Sequence, residues 1–557
     1  AAGAGAPAAG ASAAGAPAAA TPGAGCAQPA WLDGRAARWK RLLLGAGAGG
    51  DGPGAPHLPF TQWAGELNEQ NQRVIRADCE RTRAGHEFFR REDVRAKMEA
   101  MLTCWCQQQR ARYKQGLNEV LAPFLFLQSE PAPRAPSDDE VYLCFAAFLG
   151  RFAPFFDTED FVPLQCAFIF FRRLLLYHRP DLHNLLVERD ISPDMFCMPW
   201  FLTLFASKTP LNVTLQLWDR HLERNEPSFF IFLAVAVVAN AGRAVLASDR
   251  STLPELLTSL GMSSREDLEG LWSTAEGLHN RTPATFTARL RRNVLRFGAS
   301  TAAPPPAAVP RQSCERGGPE ERDDSEGAAR LLDKLERERC FFILPEEVVG
   351  HCYPARAGEA RRPWQPAPAC PWRLIVLDLR PRADFDAARL PAALHFDPLR
   401  APAGAPPGGT WAVGRKLLHW GLEPEGELEP QRVLEALKAT LGEDWLCDRE
   451  AHVCLLGAVE DAQFVRSLYE ALTRQLTLRH VSVASGGFKA VAETASRLGY
   501  EVLREVCDAA GARPRAPGVR AAPDPGLLAA TWTGLKRAAA AGARAAEGRE
   551  GPPGGGG

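Results

Sequence analysis

The sequence predicts a multidomain protein: an all-α domain, then an α/β domain built on a parallel sheet, with disordered termini and a disordered linker. Three observations carry this. Between about residue 30 and Phe297, apolar residues recur three and four apart with no competing strand alternation. Between about 335 and 506, short apolar runs alternate with helical stretches, the pattern of a parallel sheet with covered faces. The segments 1–26, 298–334 and 507–557 are rich in Ala, Gly, Pro, Arg or charge and hold too little apolar surface to offset chain entropy.

The elements follow in order. Structure is expected to begin near "PAWLDGRAARWKRLLLG". Helical spacing then runs through "DVRAKMEAMLTCWCQQQ", "DEVYLCFAAFLGRF", "FVPLQCAFIFFRRLLLYH" and "VTLQLWDRHLE", separated by turn signals such as "RPD" and "NEPS". "FFIFLAVAVVANA" (Phe229–Ala241) is apolar for only 13 residues, which suits a buried core helix and not a bilayer span. The first 25 residues have no basic start and no leucine-rich core, so no secretory signal is expected. After the linker, "WRLIVLDLR", "AHVCLLG" and "HVSVASGG" read as strands, with "AQFVRSLYEALTRQL" a helix between the last two. "PLRAPAGAPPGGTW" reads as a long flexible insertion. In the tail, "DPGLLAATWTGLKRAAAAGARAAEG" reads either as disorder or as a weak basic helix that forms on a partner or an anionic membrane.

Charge and cysteine content narrow the function classes. Sixty-five Lys and Arg against 66 Asp and Glu give no support for bulk nucleic-acid binding. The 14 cysteines are scattered, mostly inside apolar runs, and predict reduced thiols in an intracellular protein. "CWC" at Cys104 and Cys106 has the wrong spacing for a zinc knuckle, so no metal site is expected.

The stretch "RVIRADCERTR" places Ile75, Asp78 and Arg81 on one side of a helix. Taken alone, Arg81 reads as a solvated charge and Gln115 as a polar turn residue. Their context changes that reading. "DGRAARWKRLLLG" (Arg35, Trp39), "IRADCERT" (Ile75, Asp78, Arg81, Thr82) and "YKQGLNEVL" (Tyr113, Gln115, Gly116, Leu117) occur in that order. They resemble the three signature motifs of the TBC domain, the helical module of GTPase-activating proteins for Rab GTPases. Leu117 stands where methionine is usual, a tolerable apolar swap. "PWFLTLFASK" and "LWDRHL" resemble the family's later helices, so the likeness spans about residues 30–297.

The resemblance implies a GTPase activator, not an enzyme in its own right, whose partner is a Rab. It implies no cofactor of the chain's own, since GTP and magnesium belong to the Rab. Arg81 is implied as the finger that stabilises charge on the transferred phosphate, a role suited to an always-charged planar fork. Gln115 is implied as the group that positions the attacking water. Asp78, one turn before Arg81, is placed to orient its guanidinium, and Gly116 to let backbone approach the nucleotide. Thr82 and Tyr113 complete the motifs as supporting residues. Arg35 and Trp39 read as a scaffold contact, an arginine packed near an indole. Trp218 and Asp219 read as a core indole and a helix-fixing acid.

"LIVLDLRPRADFDAARLPAALHFD" resembles the rhodanese entry motif, with Asp378, Arg380 and Phe385 matching and Arg389–Leu390 replacing His-Ile. An active rhodanese has its nucleophilic cysteine just after the central strand. Here that position is Leu456, and Cys454 falls inside the strand. The expectation is a rhodanese-like domain without catalysis, used for structure or binding. The pairing of the two domains resembles the member-23 branch of the TBC domain family, which acts at the trans-Golgi in capturing endosome-derived vesicles through golgin tethers. That implies a cytoplasmic protein, peripheral at the trans-Golgi network and vesicles. A kinase-like TBC family shares the pairing with an upstream kinase domain, and nothing before residue 30 is expected to be one. Animal members of the first branch commonly have both finger positions replaced, whereas Arg81 and Gln115 are both present here. Two hypotheses follow: a Rab GTPase activator, or a non-catalytic tethering adaptor.

Overall fold

The computed structural model describes residues 34–45, 58–153, 155–156, 161–295, 324–353, 364–366, 370, 372–398, 430–442, 445, 448 and 450–503. The expectations for segments 1–26, 298–323 and 507–557, and for all but the first residue of the long insertion at Pro398–Trp411, lie outside them. The first helices are α1 (Arg35–Leu44), α2 (Gln72–Arg81), α3 (Glu87–Arg90), α4 (Glu92–Gln109), α5 (Leu117–Phe126), α6 (Asp138–Phe152), α7 (Val162–His178) and α8 (Pro180–Glu188). They continue as α9 (Asp194–Leu202), α10 (Leu211–Arg224), α11 (Phe229–Asn240), α12 (Gly242–Ala247), α13 (Leu253–Ser259), α14 (Arg265–Arg281) and α15 (Ala284–Leu295).

Helices α5, α7 and α11 are buried on almost every side. That follows from sequence: a helix apolar all round has no face to give to water. Amphipathic helices wrap them. Side chains close the ends of two of these: Ser137 with Glu140 forms a capping box on α6, and Ser264 with Asp267 one on α14. Trp39, Phe124, Phe148 and Trp218 join α1, α5, α6 and α10 in one aromatic cluster, with Phe148 and Trp218 centroids 4.5 Å apart and Trp39 and Phe124 5.3 Å apart. Edge and tilted ring contacts of this kind add to area burial.

The α/β part begins with α16 (Asp324–Arg337), so the last residues read as linker, 324–334, are helical. A five-stranded sheet follows: β1 (Phe342–Ile343), β2 (Arg373–Asp378), β3 (Ala393–His395), β4 (Ala451–Leu456) and β5 (Val481–Ala484), in the order β1-β5-β4-β2-β3. Every pairing is parallel. Central β4 is buried along its whole length, as a strand covered on both faces must be. Helix α17 (Pro345–Cys352) and the helices Pro430–Leu441, Ala462–Glu470 and Gly487–Arg497 accompany the sheet. Three strands were expected; β1 and β3, of two and three residues, are too short for periodicity to reveal.

The helical and α/β parts belong to one compact unit, residues 34–385 and 389–502 among those described. Their seam is buried. The Tyr177 hydroxyl lies 2.7 Å from His452 Nδ1, and the Tyr177 carbonyl accepts from the His480 amide at 2.8 Å. Phe341 stacks on both Tyr177 and Phe286, at 4.0 and 3.9 Å. His452 lies between Trp372 and His480, stacked at 4.2 and 4.1 Å. Glu347 from α17 accepts the Ala284 and Thr285 amides, capping α15 from across the seam.

Candidate functional site

Arg81 is the last residue of α2, and its side chain is 60% exposed. Ile75 and Asp78 from the same helix face are buried, which fixes how α2 lies and which way its final turn points. Asp78, 2% exposed, pairs through Oδ1 with Arg81 Nη2 at 2.5 Å and accepts through Oδ2 from the Tyr113 hydroxyl at 2.8 Å. A charge-assisted contact to a buried carboxylate orients the guanidinium while its other donors stay outward. Burial first, and the hydrogen bond to Asp78 second, push the Tyr113 phenol far above its ordinary value, so it stays a donor.

Tyr113 opens the loop into α5. Two residues on, Gln115 is exposed and bonds to no other described residue. Gly116 follows at φ +117°, a conformation that favours glycine, and a Cβ there would lie 3.3 Å from Thr203 Cγ2. The residue is buried, so glycine serves a turn packed on α9's end. Leu117 is buried as the first residue of α5.

The residues next to both exposed side chains meet at Asn118. Its Nδ2 donates to Thr82 Oγ1 at 2.8 Å, and its Oδ1 accepts from the Gly116 amide at 3.1 Å. Thr82 Oγ1 in turn donates to the Asp78 carbonyl at 2.6 Å. Arg83, at φ +45°, donates to the Ala206 carbonyl at 2.6 Å and lies 3.5 Å from Glu119. Burial raises the Glu119 carboxyl pKa, opposed by Arg83 and Arg81. Sequence reading passed over Asn118, Glu119 and Arg83. The first two stand in "YKQGLNEVL", but only their buried partners reveal their use.

Arg35 and Trp39 belong elsewhere, on α1. Arg35 makes a fork to Asp219, with Nη2 to Oδ2 at 2.7 Å, and Trp39 Nε1 donates to Asp219 Oδ1 at 2.7 Å. Both residues are thus held by one acid, where the sequence had suggested an arginine packed on the indole. Asp219 fixes α1 to α10, and Trp218 beside it donates to the Leu204 carbonyl at 3.1 Å.

In the α/β part, Leu456 ends β4 fully buried. Cys454 is also buried, and burial pushes its thiol far above the ordinary range, away from the reactive thiolate. Beyond β4 the Gly457 carbonyl accepts from the Phe488 amide at 2.8 Å, and a Cβ on Gly487 would lie 2.5 Å from that oxygen. The Arg380 guanidinium sits 3.3 Å from the Phe488 ring centroid and forks onto Asp378. The ten described cysteines are free thiols. No described helix is long and apolar enough to cross a membrane.

Residues 59–244 match the Rab-GTPase-TBC domain family. The chain carries a TBC Rab-GAP domain. A TBC domain-containing protein kinase-like protein of Mus musculus is 26% identical over 345 residues, covering 62% of this chain and 37% of that protein. The chain thus spans little more than a third of that curated relative's length. The GTPase-activating protein GYP5 of Saccharomyces cerevisiae is 32% identical over 111 residues, covering 19% of this chain and 11% of its own. The crystal structure of the Ypt/Rab-GAP domain of Gyp1p aligns at 14% identity and TM-score 0.33, covering 44% of this chain and 80% of that one. The long matches are kinase-like TBC proteins and not TBC domain family member 23, which corrects the branch expected from the domain pairing. The trans-Golgi site, endosome-to-Golgi traffic and golgin partners rested on that branch.

Proposed function

We propose that the TBC domain accelerates GTP hydrolysis on a Rab GTPase, with Arg81 as the arginine finger and Gln115 as the water-positioning finger. One observation supports this most. Both side chains are exposed, Arg81 is paired with the buried Asp78, and the residues flanking the two positions are tied together through Tyr113 and Asn118. A helix charge with no task needs no buried carboxylate behind it. GTP and magnesium come with the Rab. Arg35 and Trp39 hold the scaffold, and the α/β domain, with Leu456 at the strand end and Cys454 sealed in the sheet, serves as a non-catalytic rhodanese-like platform. That platform favours a second reading, an adaptor that binds a Rab or a tether on vesicles without accelerating hydrolysis.

Single-turnover GTP hydrolysis across a Rab panel separates the two. Arg81→Ala lowers the acceleration by about 10³-fold, in line with other arginine fingers. Gln115→Ala also lowers it strongly, and Rab binding survives in both. A wild-type chain that binds a Rab and leaves its hydrolysis rate unchanged refutes the finger reading and leaves the adaptor.

A further inference from the structure

We infer that Asn118 is a positioning residue that sets the spacing between the two finger residues, an inference that rests on the finger reading above. The carboxamide is bonded to Thr82 and to Gly116. These are the residues that immediately follow Arg81 and Gln115. One side chain, 4% exposed, therefore fastens the end of α2 to the turn before α5.

Its chemistry suits the task. Thr82 Oγ1 spends its proton on the Asp78 carbonyl, so it offers only lone pairs to Asn118 and needs a donor there. Gly116 presents an N–H and needs an acceptor. Among side chains of this length, only a carboxamide supplies both at once. The Tyr113 hydroxyl lies 2.8 Å from Asp78 Oδ2 and 3.2 Å from Asn118 Oδ1. Its single proton goes to the charged acceptor, which leaves Gly116 as the donor to Asn118. Asp78 thus aims the guanidinium, while Asn118 holds the two backbone segments at a constant separation. Arg81 ends a helix and Gln115 sits in a separate turn, and beside the Tyr113–Asp78 bond Asn118 is the side chain that joins the residue after each of them.

The test uses the full chain and a Rab that the wild type accelerates. Asn118→Ala, and independently Thr82→Val, which removes the acceptor at nearly constant volume, lower kcat roughly 10- to 100-fold while KM changes little. Placed on Arg81→Ala, the same substitutions add almost nothing, because a spacing has no effect once one of its two ends is gone. Asn118→Asp keeps the acceptor for Gly116 but puts a carboxylate oxygen against the Thr82 oxygen, and it fails to rescue. Urea midpoints separate lost folding from lost spacing. If the wild type accelerates no Rab, both the finger reading and the tie fall. If it accelerates and the folded variants keep kcat, or lose it additively with Arg81→Ala, the tie alone falls.

Discussion

Lowering the pH from 7.5 to 5 attacks the seam between the helical and α/β parts. His178, His351, His452 and His480 lie there, with Arg281, Arg479 and Glu347 as their charged surroundings. Burial holds His351 at about 4, and burial with Arg281 and Arg479 holds His480 at about 4. His178 and His452 are held low by burial and by one another's neighbours. A histidine whose folded value lies below its unfolded value of about 6.5 refuses a proton that the unfolded chain takes up. Stability is therefore complete above pH 6.5 and falls as pH drops toward 4. At pH 5 the unfolded chain gains about 2 kcal/mol per histidine, on the order of 8 kcal/mol for the four. Glu347 acts in the opposite sense. Burial raises it to about 7, so its penalty is largest above pH 7, and acidification to pH 5 relieves about 2 kcal/mol. The net loss, on the order of 6 kcal/mol, is comparable with the whole stability of a domain. Urea midpoints at pH 7.5, 6.5 and 5, followed by tryptophan fluorescence, measure it; Trp372 stacks on His452 and reports the seam. His452→Gln with His480→Gln removes two of the groups and shrinks the pH-dependent loss by about 4 kcal/mol. Parallel pH profiles for wild type and double variant, or stability that rises on acidification, refute the reasoning.

Other substitutions report on single contacts. Asp219→Ala strips Arg35 and Trp39 of their shared acceptor and breaks a largely buried ion pair. It costs about 3–5 kcal/mol in denaturant titration, with Asp219→Asn milder because the Trp39 bond survives. Gly116→Ala forces a side chain into φ +117° against Thr203 and costs about 1–3 kcal/mol, read as a lower Tm. The thiol of Cys454 stays unreactive to an alkylating reagent in the native protein and reacts once urea opens the sheet, because burial keeps it protonated.

Much of the architecture was legible from local pattern. Helix α11 announces itself as ten buried residues in an unbroken apolar run, and β4 as an apolar run interrupted only by His452. Asp78 and Arg81 could be placed on one side of α2 by spacing alone, and Arg81 and Gln115 by motif order. Other features were not legible, for identifiable reasons. Strands β1 and β3 exist only because a neighbour supplies their hydrogen bonds. Helix α16 begins in a charged segment whose pattern reads as linker, and Leu335 buried near its end shows that packing holds it. Arg35 and Asp219 are 184 residues apart, and no periodicity relates them.

By itself, then, the sequence determined the helical and parallel-sheet character of the described parts of the chain, and it singled out the two exposed side chains proposed as fingers. Those properties follow from which residues neighbour each other along the chain, where spacing of three, four or two decides the face. Only the tertiary structure decided that Asn118 ties Thr82 to Gly116, that Glu347 caps a helix of the other part, and that His178, His452 and His480 are buried in one seam with His351 beside them. Each of these depends on hydrogen bonds and burial between distant segments, and such contacts come into being only when the core closes.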